Sequence, residues 1–258
     1  MFAICNLSLV PVRKEASDRS EMISQLLFGE AVEILDKQKS WYKIKMLFDQ
    51  YVGWIDQKQV VIITEEEIGS YKTKSSSIST DLLQIVFVNG GEMLSIVMGS
   101  SLPFYQNKKM IFGKTEYVFE GTSIDSSVAR PENIVHHAQL FLNAPYLWGG
   151  RSPFGIDCSG LTQIVYKMCG IAMKRDASQQ AEDGETIAWI QESKAGDLAF
   201  FDNEEGKIVH VGIIAHNNLI IHASGKVRVD QLDHQGIFNK ETGKYSHNLR
   251  VIKRYSSI

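Results

Sequence analysis

A cysteine at the start of a predicted helix is the residue of this sequence best suited to nucleophilic chemistry. Cys158 follows a loop rich in glycine and proline, and apolar residues then recur at helical spacing up to Gly170. The N-terminus of a helix offers unpaired N–H groups and a partial positive charge, which lower a thiol pKa and can bind an oxyanion. A lone cysteine is more often a buried structural residue, and that is our interpretation of Cys5 and Cys169.

Two histidines on neighbouring apolar strands are the candidates for a base. His210 lies in the apolar run 208–214 and His222 in the run 219–224, and the polar residues 215–218 can close a hairpin between them. Any register that is shifted by an even number of residues keeps both imidazoles on one face of the sheet. We predict that His210 is the general base for Cys158 and that His222 orients it. Either could instead be a core histidine with satisfied hydrogen bonds.

The other histidines lie in polar contexts, where we expect exposed side chains without a role: His136, His137, His216, His234 and His247. The sequence has no Cys-x-x-Cys and no His-Glu-x-x-His zinc spacing, no Walker loop and no dinucleotide fingerprint. We therefore predict no metal and no cofactor.

The predicted helices and strands that carry Cys158, His210 and His222, and those that precede them, indicate several domains. Helical patterns followed by strands from Leu198 onward are typical of an α+β domain, which we place at 129–258. Residues 1–65 show short apolar runs between polar turns, with the period-two alternation of a half-buried strand at 41–46, and predict a small all-β barrel. Residues 66–128 repeat this pattern more weakly and form either a second β domain or an extension of the first. The polar tract 73–80 is predicted to be a linker or an exposed loop.

Bulk properties exclude some partners. The 258 residues carry a net charge of −3 with a pI near 6.2, which offers no basic field for nucleic acid. Three cysteines, an odd and sparse set, argue against a disulfide framework. No signal peptide or membrane span is evident, so we expect a cytoplasmic monomer without a membrane partner, unless a signal peptide has been removed.

Five motifs in a fixed order carry a resemblance to a known family: Tyr146-Leu147-Trp148-Gly149-Gly150, Asp157-Cys158-Ser159-Gly160-Leu161, Arg175-Asp176-Ala177-Ser178-Gln179-Gln180, Ala195-Gly196-Asp197-Leu198-Ala199-Phe200-Phe201 and His210-Val211-Gly212-Ile213. Together they resemble the NlpC-type cell-wall cysteine peptidases, which have a papain-like fold. The resemblance implies that Cys158 attacks, that His210 is the base and that His222 orients it. It also implies substrate contacts from Tyr146, Trp148, Asp157 and Ser159, although packing of the loop before the helix would explain Tyr146, Trp148 and Asp157 equally well.

The β domains at the N-terminus restrict the resemblance to a smaller group within this family. Their pattern is similar to bacterial SH3-like domains, and the whole arrangement resembles γ-D-glutamyl-L-diamino-acid endopeptidases of the dipeptidyl-peptidase VI type. That group implies a murein peptide with a free N-terminal L-Ala as substrate, in cell-wall recycling. The ammonium site of that group corresponds to Asp176 here, and the resemblance assigns Glu21 and Tyr51 of the first SH3-like domain to the same site. Glu21 could equally be an exposed acid, and Tyr51 an aromatic residue of a strand. Ala177 stands where some relatives carry serine. The alternative is a wall-binding SH3-like protein with a different amidase or acyltransferase activity.

Overall fold

A computed structural model describes residues 1–73, 77–128 and 130–255. The chain forms two compact units: unit 1 comprises Met1–Val128 with Gly149–Ser152, and unit 2 comprises Ala129–Trp148 with Pro153–Ile258. Across the described ranges, no helix combines the length and apolar character needed to span a membrane.

Unit 1 begins with a seven-stranded antiparallel sheet in the order β3-β2-β6-β5-β4-β1-β7. Its strands are β1 (Phe2–Ile4), β2 (Leu9–Arg13), β3 (Met22–Leu27), β4 (Ala31–Gln38), β5 (Trp41–Met46), β6 (Val52–Asp56) and β7 (Val61–Ile63). The alternation predicted for β5 is present, because Ile44 and Met46 are buried while Lys43 and Lys45 are not.

The rest of unit 1 follows helix α1 (Glu65–Thr73). Its strands are β8 (Ser77–Ser79), β9 (Leu83–Val88), β10 (Glu92–Val97), β11 (Ser101–Leu102), β12 (Lys109–Phe112), β13 (Thr115–Phe119), β14 (Ser123–Asp125) and, after a long gap in sequence, β15 (Arg151–Ser152). One sheet has the order β10-β9-β13-β12 and another β11-β8-β14. Asn89 and Gly90 take positive φ angles in the turn that joins β9 to β10.

One hydrophobic cluster contains residues of both groups of strands, among them Ile4 and Ile63 from the first group and Phe112 and Phe119 from the second. This shared core explains why the two groups count as one compact unit. The division into separate domains at 1–65 and 66–128 stays a prediction. Within the expected linker 73–80, Ser77–Ser79 is a strand because it pairs with β11 and β14; residues 74–76 lie outside the described residues.

Unit 2 has helices on one side of a closed antiparallel sheet. Its helices are α2 (Ile134–Gln139), α3 (Cys158–Met168) and α4 (Ala177–Gln180), and short 3-10 turns occupy Pro131–Asn133 and Ile190–Glu192. Its strands are β16 (Gly155–Ile156), β17 (Glu185–Ile187), β18 (Leu198–Asp202), β19 (Ile208–Ala215), β20 (Leu219–Ser224), β21 (Lys226–Leu232), β22 (Gly236–Asn239) and β23 (Lys244–Arg254). The predicted α+β character is confirmed.

The sheet of unit 2 runs in the order β17-β23-β18-β19-β20-β21-β22, and β22 also pairs with β23, which closes a barrel. Buried aliphatic side chains such as Ile214, Ile220 and Ile252 fill its core. All three helices pack against β19. The helices cover one face of β19 and the barrel core covers the other, which explains why most residues of this strand are apolar. His210 is buried within the strand.

A buried ion pair lies inside unit 1. The guanidinium of Arg151 contacts both carboxylate oxygens of Glu30, with Nη1–Oε2 at 2.8 Å and Nη2–Oε1 at 2.9 Å. Both side chains are essentially inaccessible to water. The backbone N–H of Leu27 donates to the same carboxylate at 2.9 Å, and Arg151 also donates to the Gln25 carbonyl. The segment Gly149–Ser152 is thereby bound to β3 and the turn that follows it.

Removing one member of this pair leaves a buried, uncompensated charge. We expect Glu30→Ala to lower the free energy of unfolding of unit 1 by about 3–5 kcal/mol. Glu120→Ala is the matched control, because Glu120 pairs with Lys108 at the surface of the same unit, and we expect it to cost at most about 1 kcal/mol. Urea titration of the full chain, read by hydrogen exchange of unit 1 amides, measures both. Equal costs for the two variants would contradict the assignment.

Candidate active site

Cys158 occupies the first turn of α3. Asp157 caps this helix: its backbone is extended, and its carboxylate accepts a hydrogen bond from the Gly160 N–H at 2.6 Å. The Cys158 thiol, 8% exposed, lies against β19, where the backbone N–H of Val211 contacts its sulfur. Gly170 ends the helical segment with a positive φ, as predicted. The nucleophile candidate therefore sits between a helix start and the strand that carries His210.

The thiol pKa moves opposite to the sequence expectation. Burial, reinforced by the Asp157 carboxylate, raises the pKa of Cys158 to about 12 and outweighs the Val211 and Ser159 N–H groups and Arg175, which lower it. The expectation of a depressed pKa was wrong because it considered the helix end and not the desolvation of the thiol. In this resting geometry the sulfur is a neutral thiol.

His210 and His222 share one face of the β19–β20 hairpin. The observed register pairs Gly212 with His222, two residues from the register in which the histidines would be directly opposite, so the shift is even and the two rings lie on a diagonal. Nε2 of His210 is 2.9 Å from Nδ1 of His222. Gly212 is needed here because a Cβ at that position would lie 2.9 Å from the Cβ of His222. The structure thus brings together the predicted base and its predicted orienting residue.

The chain of polar contacts continues to a residue that the sequence analysis missed. Nε2 of His222 is 3.0 Å from Oδ2 of Asp230, which is buried on β21. The register of β20 and β21 pairs His222 with Arg228, so Asp230 is again diagonal to His222. The even shift that places His210 and His222 on one face also places Asp230 on the face of His222, so the sequence contained the signal for Asp230.

His247 is a second missed residue. Its ring stacks on that of His210 with centroids 4.1 Å apart and an interplanar angle of 20°. It is half-buried, so the expectation of an exposed side chain was wrong, as it was for the buried His137. The missed signal lay in the strand order of the sheet, in which β23 pairs with β18 and is therefore two strands from β19, the strand of His210.

The three imidazoles also raise the question of a metal. Ligand nitrogens of His210, His222 and His247 lie within 4.8 Å of one another. However, the lone pairs of stacked rings run side by side in parallel planes, and an ion about 2.0–2.1 Å from both nitrogens would lie outside both planes. Stacking thus makes the cluster a poor site for one shared ion. The absence of a metal stays a prediction.

Burial keeps His210 and His247 neutral. Desolvation, followed by His247 and His222, lowers the pKa of His210 well below its ordinary value. Desolvation and His222 lower the pKa of His247 to about 4. A neutral His210 whose Nε2 contacts His222 has Nδ1 left to accept a proton. A neutral thiol on α3 and a neutral imidazole on β19, the strand against which α3 packs, have the protonation states of a nucleophile and its general base.

Asp157 and Ser159 are tied to a buried arginine. Arg175 donates from Nη1 and Nη2 to the two carboxylate oxygens of Asp157, at 3.0 and 2.6 Å, and from Nη1 to the Ser159 hydroxyl at 2.9 Å. The guanidinium is 1% exposed. These contacts hold the loop and first turn that present Cys158. Substrate contacts from Asp157 and Ser159 stay predictions.

Tyr146 and Trp148 lie on the loop before the helix. Burial, and then the charges of Cys158 and Asp157, raises the pKa of the Tyr146 phenol to about 12. Tyr146 is 36% exposed and Trp148 62%, so both present surface to solvent. Their side chains are available to a ligand, and binding by them stays a prediction.

The predicted ammonium residues lie in both units. Asp176 precedes α4 in unit 2, where its carboxylate and the Gln179 side chain form a capping box. In unit 1, Glu21 is exposed beside β3, 3.4 Å from the Lys14 ammonium, and Tyr51 is half-buried against the core of the first sheet. Their joint role as an ammonium site stays a prediction.

The lowered pKa of His210 has a direct kinetic consequence. Only neutral His210 can act as a base, and a lower pKa extends the neutral form to more acidic solution. We expect the acid limb of kcat/KM for amide hydrolysis to be centred below pH 6.5. A profile of initial rates measures this, with His216→Ala, an exposed histidine at the hairpin tip, as the control that leaves it unchanged. An acid limb at or above pH 6.5 would contradict a buried base.

Comparisons with known proteins identify two domain families in the chain. The model of the NlpC/P60 family matches residues 143–245, and that of the bacterial dipeptidyl-peptidase Sh3 domain matches residues 12–60. A γ-D-glutamyl-L-lysine dipeptidyl-peptidase of Bacillus subtilis is 31% identical over 217 residues, which cover 78% of this chain and 71% of the relative. Dipeptidyl-peptidase 6 of Lysinibacillus sphaericus is 27% identical over 267 residues, covering 91% of this chain and 93% of the relative.

A crystal structure supports the fold over the full length. An NlpC/P60 family protein from Bacillus cereus superposes with a TM-score of 0.83 at 20% identity, covering 99% of both chains. The predicted order of all-β SH3-like region and papain-like peptidase domain is confirmed. From its matched domains and its similarity to the Bacillus subtilis relative over most of both sequences, the chain belongs to the NlpC/P60 family of cysteine peptidases.

Proposed function

We propose that this cell-wall cysteine peptidase hydrolyses the bond between γ-D-Glu and the L-diamino acid of murein peptides that carry a free N-terminal L-Ala, during wall recycling. The observation that carries the proposal is the thiol of Cys158 at a helix start, against the strand of a His210 that is hydrogen-bonded to His222. The names of the relatives support the substrate class, since two are γ-D-glutamyl-L-lysine dipeptidyl-peptidases.

The protonation states define the order of events. Nδ1 of His210 takes the thiol proton as Sγ attacks the carbonyl carbon of the γ-glutamyl amide, because neither a free thiolate nor an imidazolium is favoured in the buried resting site. The oxyanion that forms can be stabilised by N–H groups at the start of α3. The imidazolium then returns the proton to the departing amine of the diamino acid, leaving a thioester. Water, deprotonated by His210, hydrolyses the thioester and restores the thiol.

Loss of the nucleophile provides the first test. We expect Cys158→Ala to lower kcat by at least about 10³-fold on L-Ala-γ-D-Glu-L-Lys or its diaminopimelate analogue, because no other group can form the thioester. Mass spectrometry of the digest measures the products. Cys169→Ala is the matched control, since Cys169 is also buried and lies at the end of the same helix. Unchanged cleavage by the Cys158 variant would refute the mechanism.

Selection of a free amine is the finer part of the proposal. An ammonium bound by the carboxylate of Asp176 would gain charge-assisted hydrogen bonds that an acylated terminus cannot make, and the Glu21 carboxylate and the Tyr51 phenol are further candidates for that role. The capping position of Asp176 is compatible with this role, because a carboxylate has further lone pairs beyond those that a cap uses.

The charge of Asp176 can be separated from its capping role. Asn is an equally good N-cap, so Asp176→Asn retains α4 and removes only the charge. We expect kcat/KM for the free-amine peptide to fall about 10- to 150-fold, the loss expected for one charged hydrogen bond, and the slow cleavage of its N-acetylated form to stay unchanged. Asp183→Asn, a nearby acid that pairs with Lys174 at the surface, is the control. Equal cleavage of free and acetylated peptide by the native enzyme would exclude amine selection.

We further propose action as a monomer on recycled fragments in the cytoplasm. The rival function is a wall-binding protein with another amidase or acyltransferase activity. Sedimentation of the full chain with purified wall distinguishes them: strong pelleting together with no cleavage of free muropeptides supports the rival, and cleavage without pelleting supports recycling.

A further inference from the structure

Asp230 stands at the end of the polar chain that begins at the base. Its carboxylate is buried and is 3.0 Å from Nε2 of His222, the ring nitrogen that His210 does not contact. Arg228 holds the other side of the carboxylate: Nη2 donates to Oδ1 at 3.1 Å, and Nε lies 2.8 Å from Oδ2 without hydrogen-bond geometry. The mechanism proposed above does not use Asp230.

Asp230 is ionised in the folded enzyme. Burial opposes its charge, but the hydrogen bonds from His222 and Arg228 prevail and hold the pKa of the carboxyl below its ordinary value. An ionised carboxylate is only an acceptor. In the contact between His222 and Asp230, His222 must therefore be the donor.

The donors and acceptors can be assigned step by step from this end. Because Asp230 can only accept, Nε2 of His222 must carry a proton, and the imidazole tautomer with that proton has its lone pair on Nδ1. That lone pair accepts the proton of His210 Nε2 across the 2.9 Å contact. A neutral His210 with its proton on Nε2 has its lone pair on Nδ1, where the thiol proton must go. We infer that Asp230 is a positioning residue that sets the tautomers of His222 and His210 and so keeps the base competent.

An isosteric variant should reverse these assignments. In Asp230→Asn the amide oxygen is drawn to Arg228, which can only donate, and the amide NH₂ then faces His222 Nε2. His222 can accept there only by moving its proton to Nδ1, and it then donates to His210 Nε2. This forces the His210 proton onto Nδ1, toward the thiol. We expect kcat/KM to fall by about 10²-fold or more, as with other orienting carboxylates.

Two further variants separate this role from simple anchoring. Asp230→Glu keeps an acceptor and should recover at least about tenfold of the loss in Asp230→Asn. Arg228→Gln breaks the ion pair but keeps the carboxylate, and should remain within about threefold of native kcat/KM. If Asp230 only anchors Arg228, Arg228→Gln and Asp230→Asn should lose stability and activity equally, which would overturn the inference.

The inference rests on the proposed roles of Cys158 and His210 but not on the proposed substrate. The deciding readout is therefore independent of substrate: two-bond ¹H–¹⁵N spectra of histidine-labelled full chain at neutral pH, which report the protonated nitrogen of each ring. We expect His210 and His222 protonated on Nε2 in the native enzyme and on Nδ1 in Asp230→Asn. Unchanged tautomers in the variant would overturn the role of Asp230, whereas native tautomers with no cleavage of muropeptides would refute only the proposed substrate.

Discussion

Polar groups buried in an apolar strand must find partners, and the active centre is built around that constraint. A buried imidazole without a hydrogen bond costs on the order of 1–3 kcal/mol in proteins. His210 and His222 meet the requirement by bonding to each other, and His222 meets its second requirement through Asp230. The partners come from three successive strands, so the hydrogen-bond chain depends on the register of two hairpins. Rigid strands thereby place a base where a mobile loop would place it less reliably.

The same burial determines the protonation states of Cys158 and His210. Desolvation penalises charge on both partners, so it raises the pKa of the Cys158 thiol and lowers that of His210. The N-terminus of α3 acts in the opposite direction on the thiol, but its effect is smaller than that of burial beside the Asp157 carboxylate. A neutral pair at rest is the consequence. Charge then develops only during attack, when the helix N–H groups can act on the oxyanion.

Each unit also contains a buried arginine that is paired with a carboxylate. Arg175 binds Asp157 below the nucleophile, and Arg151 binds Glu30 within unit 1. Such pairs give little net stability, because desolvation offsets much of the attraction. Their value is geometric: a bidentate arginine and carboxylate have one good arrangement, so each pair fixes the two segments that carry its residues.

Local sequence determined much of this protein. The capped start of α3 at Cys158, the stop at Gly170 and the shared face of His210 and His222 follow from spacing, helix-end chemistry and the parity of a hairpin register, which are properties of neighbouring residues. Asp230 was equally within reach of that reasoning. Only the tertiary structure decided the stacking of His247 on His210, the partner of Arg151 and the direction of the thiol pKa. Those depend on the strand order of the sheet, on contacts between segments more than a hundred residues apart and on how completely water is excluded, none of which a local pattern encodes.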